Sequence, residues 1–110
     1  MDIRIYTDAK GNKPFDAWLL DLKDIKARAS IRARLERVRA GNFGDFGDCK
    51  PVRDGVQELR IDLGPGYRVY LSRQGAVLVL LLCGSDKSDQ DRAIKQAIDY
   101  LIDWQERGRP

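Results

Sequence analysis

The sequence predicts a single α+β domain whose helices pack on an antiparallel sheet. Two alternating segments flank a Gly-Pro-Gly turn, residues 76–83 form an apolar run typical of a central strand, and three segments show helical spacing. At 110 residues the chain fits one domain, residues 1–110. The expected order is a first strand, two helices, a three-strand antiparallel meander and a C-terminal helix.

The N-terminal part is predicted to form one strand and two helices. Ile3 and Ile5 alternate with polar neighbours, which indicates a short strand. Pro14 suits the first turn of a helix whose apolar stripe begins at Phe15. A second helix is predicted over residues 24–40. Its apolar residues, expected to face inward, are Ile25, Ala29, Ile31, Leu35 and Val38.

Residues 42–55 are rich in turn formers, so we expect a loop there. Cys49 lies in this loop and Cys83 in the central strand. Because the chain has no CxxC motif and no histidine, both cysteines are expected to be reduced thiols that bind no metal. The absence of histidine also removes the usual general base near neutral pH.

The central hairpin is predicted from residues 56–63 and the strand that follows the turn. Pro65 presets φ for the first central position of a type II turn, and Gly66 supplies the positive φ of the second. Alternation places the apolar residues of both strands on one face. The opposite face then carries Glu58, Arg60, Asp62, Arg68 and Tyr70.

The C-terminal part begins with the apolar strand at residues 76–83, which is expected in the middle of the sheet. Ser88 and Asp91 have the spacing of a capping box, so a helix is predicted over residues 89–107.

Charge is unevenly distributed along the chain, although the net formal charge is only +3. Residues 23–39 contain seven Lys or Arg and two acidic residues, whereas residues 86–106 contain more acids than bases. The basic helix is either an ordinary solvated face or a flank that attracts phosphate. No apolar run is long enough to span a membrane and the N-terminus does not resemble a signal peptide, so we expect a cytoplasmic protein.

The polar face of the hairpin carries the candidate chemistry. Arg60 and Arg68, with Lys87 just beyond the central strand, suit phosphodiester binding because guanidinium groups donate paired hydrogen bonds to phosphate. The same charges stabilise a phosphate as negative charge develops on it. RNA supplies its own nucleophile, the 2′-hydroxyl, so neither a metal nor a cofactor is expected. Glu58 and Tyr70 are the candidate proton carriers. The residues assigned to RNA binding are Lys50, Arg53, Arg73, Arg32 and Arg39.

The same side chains have a purely structural interpretation. Arg60 can pair with Glu58 or Asp62 and Arg68 with either, as cross-strand ion pairs. Tyr70 is an unfavourable base, because the reference pKa of tyrosine is about 10. The face is expected to be exposed, so Arg68→Ala is expected to abolish activity while it changes the free energy of unfolding by no more than about 0.5 kcal/mol.

Three segments carry a family resemblance: RLERVRAGNFGD at residues 34–45, GVQELRIDLGPGYRVYL at 55–71 and LLLCGSDKSDQD at 80–91. In this order they resemble the HigB-like addiction-module killer proteins of the RelE/ParE toxin superfamily. The resemblance implies a compact RelE/ParE-like fold and a toxin of a type II toxin-antitoxin system. It also implies a cognate helix-turn-helix antitoxin that covers the basic sheet face and brings the complex to operator DNA.

The resemblance also bears on activity and on individual residues. RelE-like members cut mRNA, typically on the ribosome, whereas ParE-like members inhibit DNA gyrase. Arg68 matches a phosphate-binding arginine, Arg60 a basic strand position and Lys87 the killer-protein DKS block. The general base is not carried over, because Glu58 stands where RelE has a basic residue. We therefore expect a metal-independent mRNA endoribonuclease that inhibits translation. The alternatives are a gyrase inhibitor and a catalytically inactive module that binds antitoxin and DNA.

Overall fold

The computed structural model describes residues 1–45 and 47–110, and within them the chain forms five strands and three α-helices. In chain order the elements are β1 (Asp2–Ile5), α1 (Pro14–Asp21), α2 (Ile25–Arg39), β2 (Cys49–Arg53), β3 (Val56–Ile61), β4 (Tyr67–Gln74), β5 (Leu78–Asp86), a 3-10 turn (Lys87–Asp89) and α3 (Gln90–Glu106). The α+β class is therefore confirmed. Among the described helices, none combines the length and the apolar character that crossing a membrane requires.

The sheet is mixed and has the strand order β1-β5-β4-β3-β2. Strands β2 to β5 pair antiparallel in sequence order, and β1 pairs parallel to β5. The predicted meander is thus one strand short, and the prediction of a loop over residues 42–55 is wrong for β2. Asp54 and Gly55, with φ values of 53° and 85°, form a two-residue hairpin turn that joins β2 to β3. Phe46, within the predicted loop, lies outside the described residues.

The β3–β4 hairpin has the predicted faces and a register that pairs Arg60 with Arg68. Its turn differs in detail from the prediction. The Gly66 N–H donates to the Leu63 carbonyl at 3.0 Å, so Gly64 and Pro65 occupy the central positions of that turn. Both glycines nevertheless adopt positive φ, which explains why the turn needs two of them.

Helices cover both faces of the sheet. On one face, α1 and α2 pack Phe15 and Ile31 against the apolar side of the hairpin. On the other, α3 packs Ala97 and Leu101 over a cluster that includes Tyr70. Strand β5 is buried from both sides, as predicted, but the middle strand of the sheet is β4, and β5 lies between β1 and β4. It begins at Leu78 and ends at Asp86, later than the predicted residues 76–83, and a bulge opposite the β4 residues 70 and 71 interrupts its pairing.

Two predictions about the helices are wrong in detail. Ile25 is 71% exposed and Ala29 is exposed as well, so neither faces inward as predicted; the buried residue of the first turn of α2 is Ala27 instead. The expected capping box at Ser88 does not form. The Asp86 carboxylate accepts hydrogen bonds from the Ser88 N–H and hydroxyl, and this arrangement caps the 3-10 turn that precedes α3.

Candidate functional site

A groove of about 360 Å³ lies at the tip of the β3–β4 hairpin and brings together the three predicted phosphate-binding cations. Arg60 and Arg68 are direct cross-strand neighbours, and Lys87 follows β5, whose last residue pairs with the start of β4. The groove is lined by Arg60, Asp62, Leu63, Gly64, Pro65, Gly66, Arg68 and Lys87. Three cations and one carboxylate make the groove electropositive.

The hairpin face behind this groove is buried, which contradicts the expectation of an exposed face. Arg68 is 3% exposed, Glu58 2% and Tyr70 0%. The cause is α3, which packs across this face and seals it from solvent. Arg60, with 36% of its side chain exposed, and the exposed Lys87 are therefore the cations that a ligand meets first.

Glu58 is the counter-ion of the arginine pair. Its Oε1 lies 3.4 Å from Nε of Arg68 and 4.0 Å from Nε of Arg60. Two like charges directly opposite each other destabilise a sheet, and the carboxylate between them offsets that repulsion. The ion pairing foreseen as the structural interpretation is thus present, with Glu58 as the shared partner: its pair with Arg68 joins β3 to β4, whereas its pair with Arg60 lies within β3.

The ion pairs leave hydrogen-bonding capacity on both arginines. Nε of Arg68 and Nε of Arg60 are buried and make no hydrogen bond to any described residue, although they lie 3.4 and 4.0 Å from Oε1 of Glu58. Nη1 of Arg68 donates to the Tyr67 carbonyl at 3.3 Å. A buried N–H without an acceptor is costly, so a phosphate oxygen that reached these groups would be stabilised.

Gly66 has no side chain, and the space beside it lies between the buried Arg68 and the exposed Lys87. A β-carbon at this position would lie 3.4 Å from Nη1 of Arg68 and 3.7 Å from the β-carbon of Lys87. Gly66 therefore keeps open the approach to Arg68 that any larger residue would narrow.

Tyr70 does not have the properties of a proton carrier. It pairs with Glu58 across the hairpin, yet its hydroxyl lies 3.1 Å from Oγ of Ser85. Since the Ser85 hydroxyl donates to the Asp86 carbonyl, the Tyr70 hydroxyl is the donor to Ser85. Burial raises the pKa of Tyr70 to about 12. The structure corrects this assignment: Tyr70 is a core aromatic residue with no surface open to a ligand.

Two of the predicted RNA-binding residues lie on or near the α3 side of the sheet. Lys50 is in β2 directly opposite Glu58, so it lies on the same face as the arginine pair. Arg53 lines a separate cleft of about 350 Å³ between β2 and α3, together with Asp91 and Lys95.

The other three predicted RNA-binding residues lie on the α1–α2 side of the sheet. The guanidinium of Arg73 stacks over the Phe43 ring at 4.1 Å. Arg32 and Arg39 line a groove of about 410 Å³ between α1, α2 and β1. These three residues are separated from the cationic groove by the sheet, so the five predicted contacts do not form one surface.

Neither cysteine is in a disulfide. Cys49 is in β2 and not in a loop, and burial raises its pKa. Burial also raises the pKa of Cys83, to about 12. Among the described residues, no group of three or more Cys, Asp or Glu side chains could hold a metal ion.

Sequence reasoning missed one residue of this site, Gln90. Its Nε2 donates to Oε2 of Glu58 at 2.9 Å, which joins the start of α3 to β3. The apolar periodicity that predicts α3 contains no signal for a polar residue that faces the sheet.

Comparison with known proteins gives a relative but no activity. No protein-family model matches the chain. A protein of Haemophilus influenzae is 60% identical over 83 residues, which are 76% of this chain and 81% of that protein. It is described as an uncharacterized protein, so the similarity assigns no substrate or partner.

Proposed function

We propose that this chain, which belongs to the same family as the Haemophilus influenzae protein, is the toxin of a type II toxin-antitoxin system and cleaves mRNA. The observation that carries the proposal is the groove in which Arg60, Arg68 and Lys87 converge. The resemblance of three segments to HigB-like killer proteins of the RelE/ParE superfamily supports it independently. The proposal includes a RelE/ParE-like fold and a cytoplasmic location.

In the proposed reaction, the groove binds the phosphodiester next to the attacking ribose. Arg60 and Lys87 contact its non-bridging oxygens. Arg68, which is buried behind the groove, stabilises the negative charge that develops on the phosphate. The 2′-oxygen forms a bond to phosphorus as the bond from phosphorus to the 5′-oxygen breaks. The products are a 2′,3′-cyclic phosphate and a 5′-hydroxyl end, and no metal takes part.

The groove residues act through charge and position. Fixed cations that meet developing charge typically contribute about 10²- to 10³-fold in rate for each donor removed. Neither Glu58 nor Tyr70 has an exposed surface at the groove. Glu58 therefore serves as the counter-ion that holds the arginines. The 2′-hydroxyl proton passes to water, and water supplies the proton that the leaving 5′-oxygen takes up to become a 5′-hydroxyl.

The proposed partners follow from the same assignment. The substrate is mRNA, either on the ribosome or as the isolated chain. A helix-turn-helix antitoxin covers the cationic groove and links the toxin to operator DNA. Acidic residues on the antitoxin would complement Arg60 and Lys87, which are accessible.

A second candidate is a toxin or module that binds without cleaving. Burial of both candidate proton carriers is the observation that favours it, because RNA cleavage needs proton transfer at the 2′-hydroxyl and at the leaving oxygen. Gyrase inhibition or binding of antitoxin and DNA alone would use the same groove as a recognition surface.

Induced expression in cells that lack the antitoxin tests the proposal. Wild type should arrest growth and create new RNA ends with 5′-hydroxyl groups, and Arg60→Ala and Lys87→Ala should lose both effects. Arg37→Ala and Lys26→Ala are matched controls, since both residues are exposed on α2, on the other side of the sheet. Growth arrest without new RNA ends would contradict RNA cleavage and favour inhibition of DNA gyrase. No growth arrest would favour a catalytically inactive binding module.

A further inference from the structure

Gln90 links α3 to the arginine pair through one hydrogen bond. It is the first residue of α3 and is half-buried, and its Nε2 donates to Oε2 of Glu58 at 2.9 Å. Glu58 is in the middle of β3, 32 residues away in the chain. The contact therefore fixes the start of one element against the centre of another.

The two oxygens of Glu58 have different partners. Oε2 accepts from Gln90, while Oε1 faces Nε of Arg68 and Nε of Arg60 at 3.4 and 4.0 Å. The terminal torsion of a glutamate is intrinsically broad, so ion pairs alone do not set the plane of the carboxylate. A directional hydrogen bond from Gln90 does set it.

We propose that Gln90 is a positioning residue of the groove: by orienting Glu58, it places the guanidinium groups of Arg60 and Arg68 for phosphate. The inference rests on the proposed function, because it assumes that the groove binds a phosphodiester. Gln90 touches no substrate itself.

The chemistry of the amide fits this role. A neutral donor satisfies one carboxylate oxygen and leaves the full negative charge of Glu58 to the arginines. A lysine or arginine at this position would compete with Arg60 and Arg68 for the carboxylate. An acid would repel it.

A purely structural role would consist of attaching α3 to the sheet. That attachment already rests on the burial of Ala93, Ala97, Leu101 and Trp104. Loss of the Gln90 hydrogen bond should therefore change the orientation of the two guanidinium groups much more than it changes the packing of α3 on the sheet.

Gln90→Leu tests the inference, since leucine has a similar size and no donor. The matched control is Gln96→Leu, because Gln96 is an exposed glutamine of the same helix. The first readout is the NMR signals of the Nε–Hε groups of Arg60 and Arg68 in the protein alone. We expect these signals to move in Gln90→Leu and to stay in place in Gln96→Leu. Unchanged signals in both variants would overturn the inference, whatever the protein does to RNA.

The second readout is binding of a fluorescent single-stranded RNA with 2′-O-methyl groups, which cannot be cleaved by 2′-attack. Affinity should fall by up to about tenfold in Gln90→Leu, because the added cost of placing the arginines for phosphate is at most about the value of the hydrogen bond that held Glu58. In a Glu58→Gln background the same change should have no further effect, because Gln90 acts through Glu58. Equal losses in both backgrounds would contradict the inference. If the arginine signals move but wild type does not bind the RNA, the proposed function is wrong and the role in phosphate placement is overturned with it.

Discussion

Arg68→Ala should destabilise the protein strongly, because it removes one partner of a buried ion pair. Arg68 and Glu58 are each almost inaccessible, and their closest charged atoms lie 3.4 Å apart. The substitution leaves the Glu58 carboxylate beneath α3 with only Arg60, at 4.0 Å, and the Gln90 amide as partners.

The expected loss follows from the cost of an uncompensated buried charge. Breaking such a pair from one side costs about 3–5 kcal/mol, and the partners that Glu58 retains place this case near 3 kcal/mol. For a chain of 110 residues the entropy of unfolding is about 0.23 kcal/mol per degree near 60 °C. The melting temperature should therefore fall by about 13 °C.

Urea unfolding and calorimetry of wild type and Arg68→Ala measure this loss. Arg37→Ala, which removes an exposed arginine from α2, should stay within about 0.5 kcal/mol. A double substitution, Arg68→Met with Glu58→Leu, should recover most of the loss because no fully buried charge remains unpaired; Arg60 also loses Glu58, but 36% of its side chain is exposed to water. If the free energy of unfolding of Arg68→Ala is within about 0.5 kcal/mol of the wild-type value, the ion-pair account is wrong. Growth arrest lost in Arg68→Ala would by itself be ambiguous, which makes Arg60 and Lys87 better test positions.

Two further predictions concern other parts of the fold. Gly84→Ala should destabilise the protein by about 1–3 kcal/mol in thermal unfolding, because its β-carbon would lie 2.2 Å from the Trp18 ring; an unchanged melting temperature would contradict this packing. Asp103 accepts hydrogen bonds from Tyr6 and Arg107, which hold its pKa below the usual 3.8. The stability that it contributes is present above the unfolded pKa and is lost as pH falls through the lower folded pKa. In Asp103→Asn, urea unfolding should therefore lose less stability between about pH 4 and pH 2 than in wild type, and an identical pH dependence would refute the assignment.

The sequence predicted the hairpin better than the rest of the sheet. Alternation on both sides of Gly64-Pro65-Gly66 was enough to place Arg60 and Arg68 on one face, because side-chain direction has a period of two along a strand. The pairing of β1 with β5 is different: it joins residues more than 70 positions apart, and no local pattern specifies such a partner. Strand β2 was missed although Asp54-Gly55 is a strong hairpin signal, because the neighbouring turn formers obscured it.

The sequence identified most residues of the candidate site but not how deeply they are buried. The polar character of Glu58, Arg68 and Tyr70 suggested an exposed face, whereas α3 buries them. Burial depends on which face of the sheet a distant helix covers, and the apolar stripe of α3 does not specify this. Gln90 was missed for the same reason, since its role exists only once the helix lies on the sheet.

The central claim is that the groove cleaves RNA by attack of the 2′-hydroxyl, and cleavage of a defined RNA by purified protein tests it most directly. The reaction is run with and without ribosomes, and a single 2′-deoxynucleotide is placed on the 5′ side of the cut. Wild type should produce 2′,3′-cyclic phosphate and 5′-hydroxyl ends, the deoxy substitution should abolish that cut, and Lys87→Ala should slow it about 10²- to 10³-fold while Lys26→Ala does not. Cleavage that persists at the deoxy site, or no cleavage under either condition, would contradict the account.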